Sequence, residues 1–211
     1  MGNLPPKASD FKASLAPAGF TNINDVFDLS SVDWLHPVQS LYGRWEGRIL
    51  ILGQDYNGLN NLSGLQVSDL KHDAGFETNK NLIKVFGDGA DALYANFFWF
   101  IKDGWAQEKF SARKDVIEAN LPIFNTTLDA MKNLTHIFPM GELTTKKALN
   151  LGFNPLVSSK VQVGNRSFIV MPIPHLGSRG LGNFSRKHRF SKAVALEKIK
   201  QAVATSLSGL I

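Results

Sequence analysis

Cysteine is absent from all 211 residues. That removes disulfides, thiolate zinc sites, iron–sulfur clusters and cysteine nucleophiles together. Histidine is sparse. The five present are scattered, with no His-Glu-x-x-His or comparable ligand spacing, so the sequence indicates no metal. No apolar run is long enough to span a membrane. The opening residues, Met1-Gly2-Asn3-Leu4-Pro5-Pro6-Lys7, lack the apolar core of a signal peptide, which sets the expectation of a cytoplasmic protein without a membrane partner. The sequence shows neither a Gly-rich phosphate loop bearing a Lys nor a Ser or Thr in a nucleophile elbow. Internal repeats and low-complexity tracts are missing too.

What remains is a chain of ordinary apolar content, long enough to bury a real core as one α/β domain over residues 1–211, expected to be a monomer. The formal charge is +5 and the pI about 9.4, which points to an anionic partner, nucleic acid above all. A mildly basic protein with no such partner carries the same charge. The distribution says more. Arg179, Arg186, Lys187, His188, Arg189 and Lys192 crowd one segment directly after an expected strand end.

The stretch Arg48-Ile49-Leu50-Ile51-Leu52-Gly53-Gln54-Asp55-Tyr56-Asn57-Gly58 organises the rest. Four branched apolar residues bounded by turn residues read as a strand buried on both faces. Gly53, without a Cβ, permits a sharp turn or a close approach. Asp55 then follows the carboxyl end of a central strand, where open α/β sheets bind ligands. An Asp there can equally cap a turn or helix.

Along the chain, short helices are expected at Asp10 to Leu15 and Ile23 to Leu29. Trp34, His36 and Trp45 read as packing residues. The long polar stretch Asn57 to Asn79 would overhang the strand end, and Thr78 would cap a helix running to Phe86. Ala92 to Ile101 forms a second apolar run, interrupted by Asn96, whose amide must find partners or aim into a pocket. Helical spacing follows from Ser111 to Leu134, with a bend at Pro122. His136 to Met140 reads as a third strand and Glu142 to Leu149 as a helix. Val161 to Val163 and Ser167 to Met171 flank Gly164-Asn165, a hairpin-like signal or a strand entered through a turn. A fourth apolar run, Phe168 to Ile173, leads into Pro174-His175-Leu176-Gly177-Ser178-Arg179-Gly180. Ser191 to Leu207 closes the chain as an amphipathic helix with Ala193, Leu196, Ile199 and Val203 on one face. The alternation predicts a three-layer α/β sandwich around a mostly parallel four-stranded sheet. Parallel strands would bring Asp55 and His175 to the same sheet edge, with Asn96 beside them.

An acid, an imidazole and an amide at one edge suit hydrolysis of a bond whose leaving group departs as an anion. The carboxylate orients water or stabilises an oxocarbenium-like state, the imidazole hydrogen-bonds the anion, and the amide reads a base edge with a donor and an acceptor side by side. Leu52-Gly53-Gln54-Asp55 followed by an aromatic resembles the Gly-Gln-Asp-Pro-Tyr motif of the uracil-DNA glycosylases. Asn81-Leu82-Ile83-Lys84, Tyr94-Ala95-Asn96, Ile137-Phe138-Pro139-Met140-Gly141, the His175 loop and Phe190-Ser191-Lys192-Ala193 resemble later segments of that superfamily, in the same order.

The resemblance implies a DNA glycosylase of base excision repair, without cofactor, that flips a uracil or related damaged base out of DNA. It assigns Asp55 and His175 to catalysis. Gln54, Tyr56, Asn96 and Phe76 would line the substrate, with Phe76 or Tyr56 the stacking aromatic. Leu176, Ser178, Arg179, Leu181, Arg186 and Lys187 would meet the DNA, with Leu176 or Leu181 as groove wedge and Arg179 on a phosphate. Tyr56 stands where the motif has Pro, and Asn57 where it has the Tyr that excludes thymine. The His175 loop lacks the family's Pro and adjacent Ser. A non-catalytic nucleic-acid-binding protein on the same scaffold and a hydrolase of free nucleosides are the alternative functions.

Overall fold

A computed structural model describes residues 16–26, 42–54, 77–104 and 113–209 of the chain. The helix expected at Asp10 to Leu15, together with Trp34, His36 and most of the polar stretch after Asp55, lies outside them. The described elements run β1 (Phe20–Asn22), α1 (Ile23–Val26), β2 (Ile49–Gly53), α2 (Glu77–Phe86), β3 (Ala92–Asn96), β4 (Phe100–Lys102), α3 (Lys114–Ala130), β5 (His136–Pro139), α4 (Glu142–Leu149), β6 (Ser159–Val163), β7 (Arg166–Val170), α5 (Ser178–His188) and α6 (Lys192–Leu207).

Strand β2 lies inside the sheet, between β3 and β5, and every one of its residues is buried, as expected of an apolar run without alternation. The main sheet has the order β3-β2-β5-β7-β6. The pairs β2–β3, β2–β5 and β5–β7 are parallel, and β6–β7 is an antiparallel hairpin. The sheet therefore has five strands, not four. The extra one is β6, the outer arm of the hairpin signalled by Gly164-Asn165. Its alternating exposed residues mark it as an edge strand rather than a core run.

Side chains along β2 divide between two apolar clusters. Leu50 and Leu52 join Val116, Ile123, Phe124 and Leu128 of α3 and Leu149 of α4. Ile49 and Ile51 join Leu82 and Val85 of α2, Leu181 and Phe184 of α5, and Ala195, Ile199 and Val203 of α6. Successive strand residues point to opposite faces, so the two clusters meet β2 from opposite faces. Within α6 the buried face is Ala195, Ile199, Val203 and Ser206, while Ala193 is exposed, a shift from the expected stripe. The helix starts where Ser191 caps it, its hydroxyl accepting from the Val194 amide at 3.2 Å.

The run Ala92 to Ile101 is not one strand. It breaks after Asn96, and Phe100–Lys102 leaves to pair antiparallel with Phe20–Asn22 in a separate two-stranded sheet. The break is held from α3. Buried Asn120 accepts from the Trp99 amide at 2.5 Å and donates to the Val116 carbonyl at 2.6 Å. Replacing Asn120 by Leu orphans a buried backbone N–H. We expect a loss of about 1–3 kcal/mol in urea unfolding, and an unchanged midpoint would remove Asn120 from this role.

At the opposite end of the sheet from the loops that concern function, His136 opens β5. Its Nε2 lies 3.2 Å from the Ser206 carbonyl of α6. Burial pushes its pKa below the ordinary 6.5, outweighing the raising effect of that carbonyl, and Arg48 lowers it further. A depressed histidine pKa favours the unfolded chain once the unfolded ring begins to protonate. Stability from this group is thus complete above about pH 6.5 and falls as the pH drops toward the lower folded value. Urea midpoints at pH 7.5 and 5.5 should differ less in His136→Gln than in the parent, and an equal difference would contradict this.

Candidate active site

Parallel strands place the ends of β2, β3, β5 and β7 on one edge. From β2 the chain crosses to β3 on one side and later to β5 on the other, so strand order reverses at the carboxyl end of β2. Such a reversal opens a crevice between neighbouring strand ends. Gly53-Gln54 lies there, held by amides of the chain beyond β3. Phe97 donates to the Gly53 carbonyl and Phe98 to that of Gln54, both at 2.9 Å. Gln54 is partly exposed. Asp55 follows it in sequence, and Asp55, Tyr56 and Phe76 lie outside the described residues.

Asn96 is the register partner of Gly53 and is 5% exposed. Its Oδ1 is buried without a hydrogen-bond partner. It occupies the space that a side chain at position 53 would need, with the Tyr94 ring and hydroxyl 3.1 Å from the same point. Gly53 is therefore glycine because the amide of Asn96 and the ring of Tyr94 close over its backbone. Sequence reasoning valued Gly53 for turning or close approach in general and did not single out Tyr94. The alternation 94, 96 along β3 was the available signal, since it sets both residues on one face.

His175 stands beyond β7, where bridging continues past the strand as Met140 meets Ile173. The Gly141 amide donates to the Ile173 carbonyl at 2.8 Å. Gly141 adopts φ +87°, which favours glycine, and begins α4 beside the His175 Cβ. The Gly177 amide donates to His175 Nδ1 at 3.0 Å. A ring nitrogen that accepts carries no proton, so the neutral ring holds its hydrogen on Nε2. Buried Asn81 of α2 fixes the same loop, its amide donating to the Leu176 carbonyl at 2.8 Å. Thr78 lies inside α2 rather than capping it, and its hydroxyl closes on Gly177.

Across the edge, from β3 to β7, three strand spacings amount to roughly 14 Å. Helices α4 and α5 begin at this edge, and α2 begins against the Gly177 loop, so partial positive charge from their N-termini gathers there. Glu142 in the first turn of α4 stays ionised to lower pH than usual, chiefly through its hydrogen bond from Lys146, with a smaller contribution from Lys187.

The leucines proposed as wedges do not fit that role. Leu176 is 0% and Leu181 2% exposed, both packed in the cluster under α2 and α6. Ser178, Arg179, Arg186 and Lys187 are exposed along α5, and Arg186 also donates to Asn183 at 2.6 Å. Among the described residues no group of three or more His, Asp or Glu side chains forms a metal cage. No helix among them is long and apolar enough to cross a membrane. No protein-family model matches the chain, and no curated protein matches it significantly.

Proposed function

We propose that the chain is a single three-layer α/β domain acting as a DNA glycosylase, hydrolysing the N-glycosidic bond of uracil or a related base. One observation carries the reading: the Gly177 amide donates to His175 Nδ1, which places the proton of the neutral ring on Nε2, at the sheet edge where the unpartnered Oδ1 of Asn96 also lies. The imidazole donates to the base as it departs with negative charge. The Asn96 oxygen accepts from a ring N–H, which uracil and hypoxanthine possess and cytosine, at its pairing nitrogen, does not. Asp55, in the position the glycosylase resemblance assigns to catalysis, orients the attacking water. Reaching the glycosidic bond requires the nucleotide to leave the stack. A purely DNA-binding protein has no use for an imidazole held in one tautomer, and the basic face of α5 favours a polymer over a free nucleoside.

The test is base release from oligonucleotides carrying uracil, hypoxanthine, xanthine or thymine mismatches, single- and double-stranded, with abasic sites revealed by alkali. Release by the parent and none by Asp55→Asn is expected. Good DNA binding with no release from any substrate would return the protein to the binding class. The role of Asn96 separates from this. Asn96→Asp replaces the amide donor with a second acceptor, and the base profile should shift away from uracil. An identical profile would take Asn96 out of the pocket.

A further inference from the structure

Tyr94 precedes Asn96 by two residues on β3 and shares its face of the sheet. Its Cα pairs with Ile51, whereas Asn96 pairs with Gly53 itself. Two strand residues span roughly 6.6 Å, a distance that only a long side chain leaning along the strand can bridge. The phenol bridges it. Tyr94 Cε2 and the hydroxyl oxygen each stand 3.1 Å from the point that a Cβ on Gly53 would occupy, and Asn96 Oδ1 crowds the same point. The backbone beneath is held on both edges. The Tyr94 amide donates to the Tyr42 carbonyl at 2.8 Å, and β2 pairs along the other side. Tyr42 is buried, and its own hydroxyl donates to the Gly87 carbonyl at 2.8 Å. The Tyr94 ring packs on the apolar cluster under α2 and remains partly exposed. Two polar groups of different kinds therefore converge above Gly53. One is a carbonyl oxygen that only accepts, and the other is a hydroxyl that can donate.

We propose that Tyr94 is a specificity-determining residue which, with Asn96, selects a base whose ring N–H lies between two carbonyls, the cyclic imide of uracil, thymine and xanthine. Asn96 Oδ1 accepts from the N–H, the Asn96 amide nitrogen donates to one flanking carbonyl, and the Tyr94 hydroxyl donates to the other. Hypoxanthine has a carbonyl on one side of its N–H only and leaves one donor unmet. Cytosine lacks the N–H at its pairing nitrogen. A site that strands a polar group against the wrong ligand discriminates more sharply than one that merely misses an apolar contact. The proposal rests on the glycosylase reading for the presence of a base at this edge, and it narrows the substrates which that reading allows.

The experiment uses the full chain and fluorescein-labelled oligonucleotides, read by anisotropy. Each carries one base on a 2′-fluoroarabinose, whose electron-withdrawing fluorine disfavours an oxocarbenium-like state and keeps the base attached. The bases are uracil, 2-thiouracil, 4-thiouracil and hypoxanthine, with an abasic analogue as reference. The thio bases keep the N–H and weaken one carbonyl acceptor at a time. The parent should bind uracil about tenfold more tightly than hypoxanthine, and Tyr94→Phe should bind the two within about twofold. One of the two thio positions should weaken the parent about tenfold and cost Tyr94→Phe nothing further, the signature of a direct pair. A hydroxyl that only supports the fold would lower the affinity for every oligonucleotide alike, the abasic one included, and that result overturns the proposal. So does a Tyr94→Phe protein that keeps the parent's ranking. Base release by the parent from an ordinary deoxyuridine oligonucleotide reports separately on the glycosylase reading. Coupling of Tyr94 to one carbonyl without release leaves the base reader standing and removes the enzyme; release without coupling removes Tyr94 alone.

Discussion

His175→Ala is expected to slow single-turnover base release by about 10²–10³-fold, the usual consequence of removing one donor aimed at a developing anion. The loss should fall on the chemical step, with the concentration for half-saturation nearly unchanged, because the bond to the leaving base strengthens only as charge appears. The ring is held by the Gly177 amide and stands beside Gly141, so its removal leaves the strand ends in place. The orphaned Gly177 amide costs about 1 kcal/mol of stability, small against a folded domain. Circular dichroism of the variant should match the parent. Parent-like rates would remove the imidazole from the reaction.

Gly180→Ala carries the second large effect, and its sign comes from two opposing contributions. Alanine inside a helix is favoured over glycine by about 1 kcal/mol. Against that, a Cβ at position 180 would overlap the His175 carbonyl and lie 2.6 Å from the His175 Cβ. One obstacle is backbone, which cannot rotate away, and overpacking of this kind costs about 1–3 kcal/mol or more. The clash should win, lowering the thermal midpoint by roughly 4 °C or more and displacing His175 enough to reduce base release. Gly182→Ala, two residues along the same helix, meets only ordinary contact with Lys192 and should raise the midpoint by a few degrees. Opposite signs from chemically identical substitutions would tie the difference to His175. Equal gains would show that α5 does not press on His175.

The same glycines explain what the sequence concealed. Leu176 to Leu181, with Gly180 inside it, reads as a loop, yet Gly180 lies in α5, because the first turn must approach the His175 backbone closely. Propensity yields there to a tertiary contact. The break after Asn96 was equally hidden. Phe97, Phe98, Trp99 and Phe100 are all buried, so no periodicity separates strand from turn, and the acceptor that holds the break comes from Asn120 in α3. By contrast β2, β5, α4 and α6 were legible, since each announces itself locally through an unbroken apolar run, a bounding glycine or a serine cap. Parallel strands alone led to the expectation of Asp55, Asn96 and His175 at one edge; Asn96 and His175 stand at that edge, and Asp55 lies outside the described residues. Whether Leu176 and Leu181 faced solvent or core did not follow, because both answers are consistent with a leucine near a helix start.

The placement of β2 between two parallel neighbours also governs how the chain reaches this structure. Ile49 pairs with Ala92 on one side and His136 on the other, so neither neighbour is made by a local hairpin. During synthesis, Ile49-Leu50-Ile51-Leu52 emerges well before either partner, a β-prone apolar stretch with two unsatisfied edges. Sheets of such non-local pairing form slowly, since long loops must close before contacts compensate for the lost entropy. Refolding yield from denaturant should therefore fall steeply with protein concentration, and the segment that a holding chaperone would shield first is the strand that later carries Gly53 into the candidate active site.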